Sequence, residues 1–469
     1  MLNAAVQTYI APRVKARFLA YVRVNTTSDP ESNTAPSSAC QMDLARRLGE
    51  ELHELGLQAV TVDDKGYVYA TLPASPGVTA PAITFCAHMD TSPAVSGEGV
   101  APVLHENYDG RSLTFPRDPG LRLSPKDSPE LLKYMGQTLI TASGDTLLGA
   151  DDKAGLAEIM TALDALIHFP DLPRPELRIV FTPDEEVGKG TANIDTDRLG
   201  RFGYTLDGGE MGELEAECFD AWSARLIFDG YNIHPGYAKD KMVNAAAIAG
   251  RFVAALPEAQ TPEHTADREG FYHLASLKGD ESRAEAKLYL RDFEAAGNRD
   301  RIDFLKKQVA LFELRYPGLS IEMALTQQYR NMRTVLEQHP QITVLAQEAI
   351  AQAGVEVLQR SIRGGTDGAA LCFMGMPTPN LFAGGLNFHS KTEWIPVIAL
   401  QKACEVVLRL CLLWSKESGG PATGRGECGS TVPSAIERRI WSLSCTNRGC
   451  GELRRRRMSR ATLMNNWTV

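Results

Sequence analysis

The chain reads as an α/β protein interrupted by a compact α+β insert, and three observations carry that reading. Before Gly212 and again after about Arg333, apolar runs of strand length alternate with segments of helical period, as in a sheet that is at least partly parallel. Between those points the pattern changes to period-two strands with two helices, roughly a hundred residues and so the size of a small domain. At 469 residues the whole is also too long for one ordinary core.

Each element has its own signal. From Cys40, Leu44, Leu48, Leu52 and Leu55 recur at helical spacing, and Gly56 stands where a helix should stop. Residues 67–72 predict a strand, and 82–87 form an apolar run that leads directly into His88. A helix follows Gly155, with Leu156, Ile159, Met160, Leu163 and Leu166 on one face. Residues 177–182 predict a strand ending in Pro183-Asp184-Glu185-Glu186, and 204–206 another ending in Asp207-Gly208-Gly209. In the insert, Trp222, Ala224, Leu226 and Phe228 alternate along a strand. A helix over about 240–256, strands near 271–277 and 286–293, a helix to about Tyr316 and a strand near 321–327 follow. The α/β pattern resumes with a helix near 342–353 and ends in a long helix over about 396–414. The expected organisation is one domain from 1–216 and 332–414, an insert at 217–331, and a disordered tail at 415–469.

Composition narrows the function classes. Hydrophobic content of 43% and charged content of 23% are those of a soluble globular protein, and a formal charge of -9 argues against nucleic acid as a partner. No apolar run of eighteen residues occurs; the best, 397–414, is broken by Lys402, Glu405 and Arg409. No signal-peptide core precedes the first helix, so neither secretion nor a membrane is expected. Nine scattered cysteines suit a reducing, cytoplasmic setting rather than a disulfide framework. Residues 416–469 carry ten Lys/Arg against four Asp/Glu, whereas the remainder carries a net -15, so the tail reads as an appendage.

Three predicted strands end in polar residues: His88 with Asp90, Glu185 with Glu186, and Asp207. In open α/β sheets the ligand crevice lies outside the carboxyl ends of strands. Asp151, in Gly149-Ala150-Asp151-Asp152-Lys153-Ala154-Gly155, and His389, in Gly384-Gly385-Leu386-Asn387-Phe388-His389, extend the set to imidazole and carboxylate donors without thiolate. Such donors suit zinc, manganese or cobalt. Singly these motifs are common: His-x-Asp recurs by chance, paired glutamates usually face solvent, and Asp-Gly-Gly is usually a turn. Their recurrence at strand ends is what points to a metal site.

Together with Ala87-His88-Met89-Asp90-Thr91-Ser92 and Thr182-Pro183-Asp184-Glu185-Glu186-Val187-Gly188, these motifs resemble the dinuclear zinc peptidases that include aminoacylases and glutamate carboxypeptidases. Asp207-Gly208-Gly209-Glu210, Asn232-Ile233-His234-Pro235-Gly236, Met242-Val243-Asn244-Ala245 and Arg363-Gly364-Gly365-Thr366-Asp367-Gly368 narrow the resemblance to the peptidase T branch. It runs from the start to about Trp414, with one departure: Ser390-Lys391-Thr392 follows His389 where Gly-Lys-His is expected.

The resemblance implies a zinc-peptidase domain with a mixed sheet flanked by helices, and an inserted lid that can form a homodimer. It implies two zinc ions per subunit, bridged by Asp151, one held by His88 and Asp207, the other by Glu186 and His389. Asp90 would orient His88. Glu185 would be the general base when a hydroxide bridging both zincs attacks, releasing the N-terminal residue of a tripeptide. His234, Asn244 and Arg363 would face the substrate, and Asp151-Asp152 would be a cis peptide. A dipeptidase, carboxypeptidase or N-acyl amino-acid deacylase of the same fold, or a non-catalytic metal-binding homologue, are the competing readings.

Overall fold

The computed structural model describes residues 2–417; the basic tail expected beyond 414 lies almost wholly outside the described residues. The main sheet has eight strands, in the order Gln58–Val62, Val68–Leu72, Leu177–Thr182, Ile83–His88, Phe202–Gly208, Asn380–Phe382, Glu213–Cys218 and Leu358–Ile362. The sheet is mixed. Ile83–His88 runs parallel to both Leu177–Thr182 and Phe202–Gly208, so these three strands deliver their carboxyl ends to one edge. All six residues of Ile83–His88 are buried, as the unbroken apolar run before His88 requires.

Helices Ala4–Tyr21, Ala150–His168 and Val397–Trp414 pack on one another beside this sheet. The first escapes the sequence pattern: its buried Val6, Ile10, Val14 and Phe18 recur at helical spacing, but Pro12 interrupts them. Trp414, 1% exposed, stacks on Phe202 at 5.2 Å and donates its indole N–H to the Tyr204 hydroxyl at 2.9 Å. Tyr204 donates in turn to the Ile342 carbonyl. Trp414→Ala is therefore expected to cost about 3–5 kcal/mol, read as a lower urea midpoint at unchanged slope.

The insert forms a separate antiparallel sheet, ordered Phe271–Gly279, Arg283–Asp292, Asp220–Asp229 and Ser320–Tyr329. Ala224, Leu226 and Phe228 from one face of Asp220–Asp229 meet Ile248 and Phe252 of helix Ala245–Ala254 in a hydrophobic cluster of their own. Period-two alternation in the sequence reflects the burial of this face. Among the described residues, no helix is long and apolar enough to cross a membrane.

Candidate metal centre

Strand ends and two loops place the donors. His88 is the last residue of its strand, and Asp207 the last but one of Phe202–Gly208. Asp151 and Asp152 open helix Ala150–His168 with non-helical backbone, and the peptide bond between them is cis. Gly149, just before, has φ +80°, a conformation that costs glycine least. After Leu177–Thr182 the chain turns at Asp184, whose φ is +60°. The Asp184 carboxylate accepts the Ser37 N–H at 2.7 Å and the Gln41 side-chain amide at 2.7 Å, so an N-terminal loop holds the turn that presents Glu185 and Glu186. His389 comes from an exposed loop in which Ser390 donates to the Asn387 carbonyl and accepts the Thr392 N–H. Ser390 therefore closes the turn where glycine was expected.

Five side chains converge although they span three hundred residues. His88 Nε2 lies 2.9 Å from Asp151 Oδ1 and 3.4 Å from Asp207 Oδ1. His389 Nε2 lies 3.0 Å from Asp151 Oδ2 and 2.9 Å from Glu186 Oε2. Asp151 thus turns one oxygen to each histidine. Asp90 works mainly through the other residues' backbone: its carboxylate accepts the Glu185 N–H at 2.9 Å and the Glu186 N–H at 3.2 Å. His88 Nδ1 sits 3.1 Å from the Asp90 carbonyl and 3.4 Å from its carboxylate, an arrangement that turns Nε2 towards the cluster.

The electrostatics are those of crowded acids. Burial, with Asp151 beside it, lifts Glu186 to about 7, and burial lifts Asp207 to about 6. Burial, Asp207 and other carboxylates push Glu185 well above the usual range. Burial opposes charge on Asp151, yet hydrogen bonds from His389 and His88 hold it well below that range. Hydrogen bonds to Asp151 and Glu186 carry His389 up to about 10. Such a cluster is balanced by protons or by cations, and imidazole nitrogens facing the same point favour a divalent metal.

The donor set passes a closer test. Atoms of His88, Asp151 and Glu186 lie within 4.8 Å of one another, and Glu186 Oε1 is buried without a hydrogen-bond partner. A coordinating cation would satisfy that oxygen. Asp152 also comes within range of His88 and Asp207. Its oxygens, however, accept the His88 and Gly155 N–H groups, so it braces the loop.

The predicted substrate residues stand apart from this cluster. His234 is exposed in the insert, with Nδ1 accepting the Gly236 N–H. Asn244 caps helix Ala245–Ala254, its oxygen accepting the Ala247 N–H at 2.9 Å. Arg363 donates to the carbonyls of Asp267 and Glu269 and to Thr265 Oγ1, and its guanidinium lies near the Phe219 and Phe271 rings.

Two buried carboxylates at the site escape sequence reasoning. Asp367 accepts from Thr182 Oγ1 at 2.7 Å, and glycine at 190 leaves it room, because a Cβ there would come 2.2 Å from its Oδ1 and force a shift. Its signals are its place in the Arg363–Gly368 motif and the Thr366-Asp367 helix start. Glu393, 1% exposed, accepts backbone N–H groups of the Asp151 loop. Its only signal is a lone acid before the apolar Trp394-Ile395.

Comparison with known proteins identifies the family. Residues 148–413 match Peptidase family M20/M25/M40. A peptidase T from Geobacillus thermodenitrificans is 47% identical over 405 residues, covering 86% of this chain and 98% of that protein. The fold is shared with an aminopeptidase from Bacillus cereus (TM-score 0.68, 22% identity, 87% of this chain and 99% of that one). It is also shared with a tripeptidase from Staphylococcus aureus (TM-score 0.70, 19% identity, 87% and 99%). With nearly half its residues identical along the full length of such a relative, and the family's region spanning most of the donors described above, the chain belongs to the peptidase T group of the M20/M25/M40 metallopeptidases.

Proposed function

We propose that this chain is a tripeptide aminopeptidase working with two zinc ions, and that the observation carrying it is the convergence of His88, Asp151, Glu186, Asp207 and His389 beside a free Glu185. Asp151 would bridge the two ions, His88 and Asp207 would hold one, and Glu186 and His389 would hold the other. When bound there, such a pair would supply Lewis-acid polarisation of the scissile carbonyl and would bring the pKa of a water towards neutrality. Glu185 takes the proton from the attacking water and returns it to the departing amine. Its carboxylate has no hydrogen-bond partner among the described residues, while its main chain is held by Asp90. Asp90 also fixes the orientation of His88.

Residues 217–331 act as a lid and dimerisation domain on the catalytic part formed by 1–216 and 332–414. His234, flanked by exposed Tyr231 and Tyr237, reaches the substrate carbonyl in a neighbouring subunit. Asn244 keeps its Nδ2 as a donor while its oxygen caps the helix. Arg363 grips the peptide's C-terminal carboxylate by releasing the 265–269 loop, so this contact depends on movement of the insert. The six cysteines described are free thiols, which supports a cytoplasmic setting.

A panel of di-, tri- and tetrapeptides with N-acetylated tripeptides tests the substrate assignment. Free tripeptides should give the highest kcat/KM, and acetylation should lower it by more than about 100-fold, because a site built for an amine is left unpaired. A preference for dipeptides or acetylated substrates would assign the chain to another activity of this fold.

A further inference from the structure

Glu393 has no place in the roles above, yet its carboxylate accepts three backbone N–H groups beside the centre. Its Oε2 accepts the Leu148 and Gly149 N–H groups at 2.8 Å each, and its Oε1 the Asp151 N–H at 3.2 Å. These three N–H groups belong to the turn that enters helix Ala150–His168, where non-helical backbone leaves them without helical acceptors. Glu393 in turn is anchored. It precedes the strand Trp394–Pro396, which pairs with Leu139–Thr141, the strand from which the chain runs on to the Asp151 loop. Leu386 and Trp394 exchange backbone hydrogen bonds of 2.9 and 3.0 Å, closing a loop with His389 near its tip and Glu393 at its base.

The contacts therefore form a circuit. Glu393 holds Asp151 by its backbone, Asp151 Oδ2 meets His389, and His389 lies four residues from Glu393 on the closed loop. We propose that Glu393 is the positioning residue that sets the separation of the two metal positions, by clamping the Asp151 loop to the His389 loop. It touches neither substrate nor metal; it fixes where Asp151 can point. A hydrogen-bonded carboxylate suits this task because it collects three donors at one point, whereas a glutamine would turn an NH2 towards at least one N–H.

This inference rests on Asp151 as the bridging ligand, so both are tested together. Full-length wild type, Glu393→Gln and Asp151→Ala are loaded with zinc and titrated with EDTA, following zinc bound per folded molecule. Glu393→Gln should lose zinc at a chelator concentration about 10–100-fold lower than wild type, the usual effect of removing a group that orients a ligand. Its kcat should recover when zinc is supplied in excess, which a defect confined to folding would not do. In hydrogen exchange the peptide around 147–152 should be protected in wild type and lose protection selectively in Glu393→Gln. Zinc retention equal to wild type in Glu393→Gln, with loss in Asp151→Ala, overturns the clamp alone. Full retention in Asp151→Ala overturns the bridging assignment beneath it. If Glu393→Gln does not fold, wild-type exchange decides: amides of Leu148, Gly149 and Asp151 that exchange like an open loop overturn the clamp, and protected ones uphold it.

Discussion

Glu185→Gln should keep its full complement of zinc while turnover on a tripeptide falls by about 10²–10⁴, the contribution of a positioned general base. The two neighbouring glutamates share one backbone anchor, since Asp90 accepts both of their N–H groups, but their side chains part. Glu186 points Oε2 at His389, 2.9 Å away, whereas the Glu185 carboxylate has no hydrogen-bond partner among the described residues. Glutamine at 185 preserves shape and burial and removes only the ability to take a proton. KM should change little, because the loss is felt in the transition state. Metal analysis beside steady-state kinetics reads both quantities. Near-normal turnover would assign the proton transfer to another group, and loss of zinc would make Glu185 a ligand.

The second large effect is expected at Asp151. Replacing it with alanine removes the oxygen 2.9 Å from His88 and the oxygen 3.0 Å from His389 in one step. Both metal positions should weaken together, by more than the roughly 10–100-fold that follows loss of a ligand's hydrogen-bonding partner. Activity should fall to background and return only in part with added zinc. Glu186→Gln offers the contrast: one position should weaken and the other stay filled, because only the His389 side loses a donor. Stoichiometry by elemental analysis separates the cases, and a single-site loss in Asp151→Ala would remove it from the bridge.

Much of the candidate site was legible because polar donors at strand ends leave a local trace. An apolar run stopping at His88, another at Thr182 and a third before Asp207 announce both a buried strand and the polar residue it delivers. The insert was legible for a similar reason, as burial of the face carrying Ala224, Leu226 and Phe228 imprints period two on Asp220–Asp229. Helix Ala4–Tyr21 was not, because Pro12 falls within its apolar spacing and Val14 and Phe18 show their purpose only against the helices they pack on. Short strands such as Asn380–Phe382 were also missed, since three residues carry no period.

Donor types, their order along the chain and the strands that carry them follow from residue chemistry and local pattern, which a linear reading can follow. Which atoms face one another does not. That Asp151 splits its oxygens between two histidines, that Asp90 holds the Glu185 and Glu186 main chain, and that Arg363 is tied to the 265–269 loop are outcomes of packing. Glu393 shows why most plainly. Its partners lie more than two hundred residues away along the chain, and they are backbone N–H groups, which every residue but proline possesses and no side-chain pattern advertises.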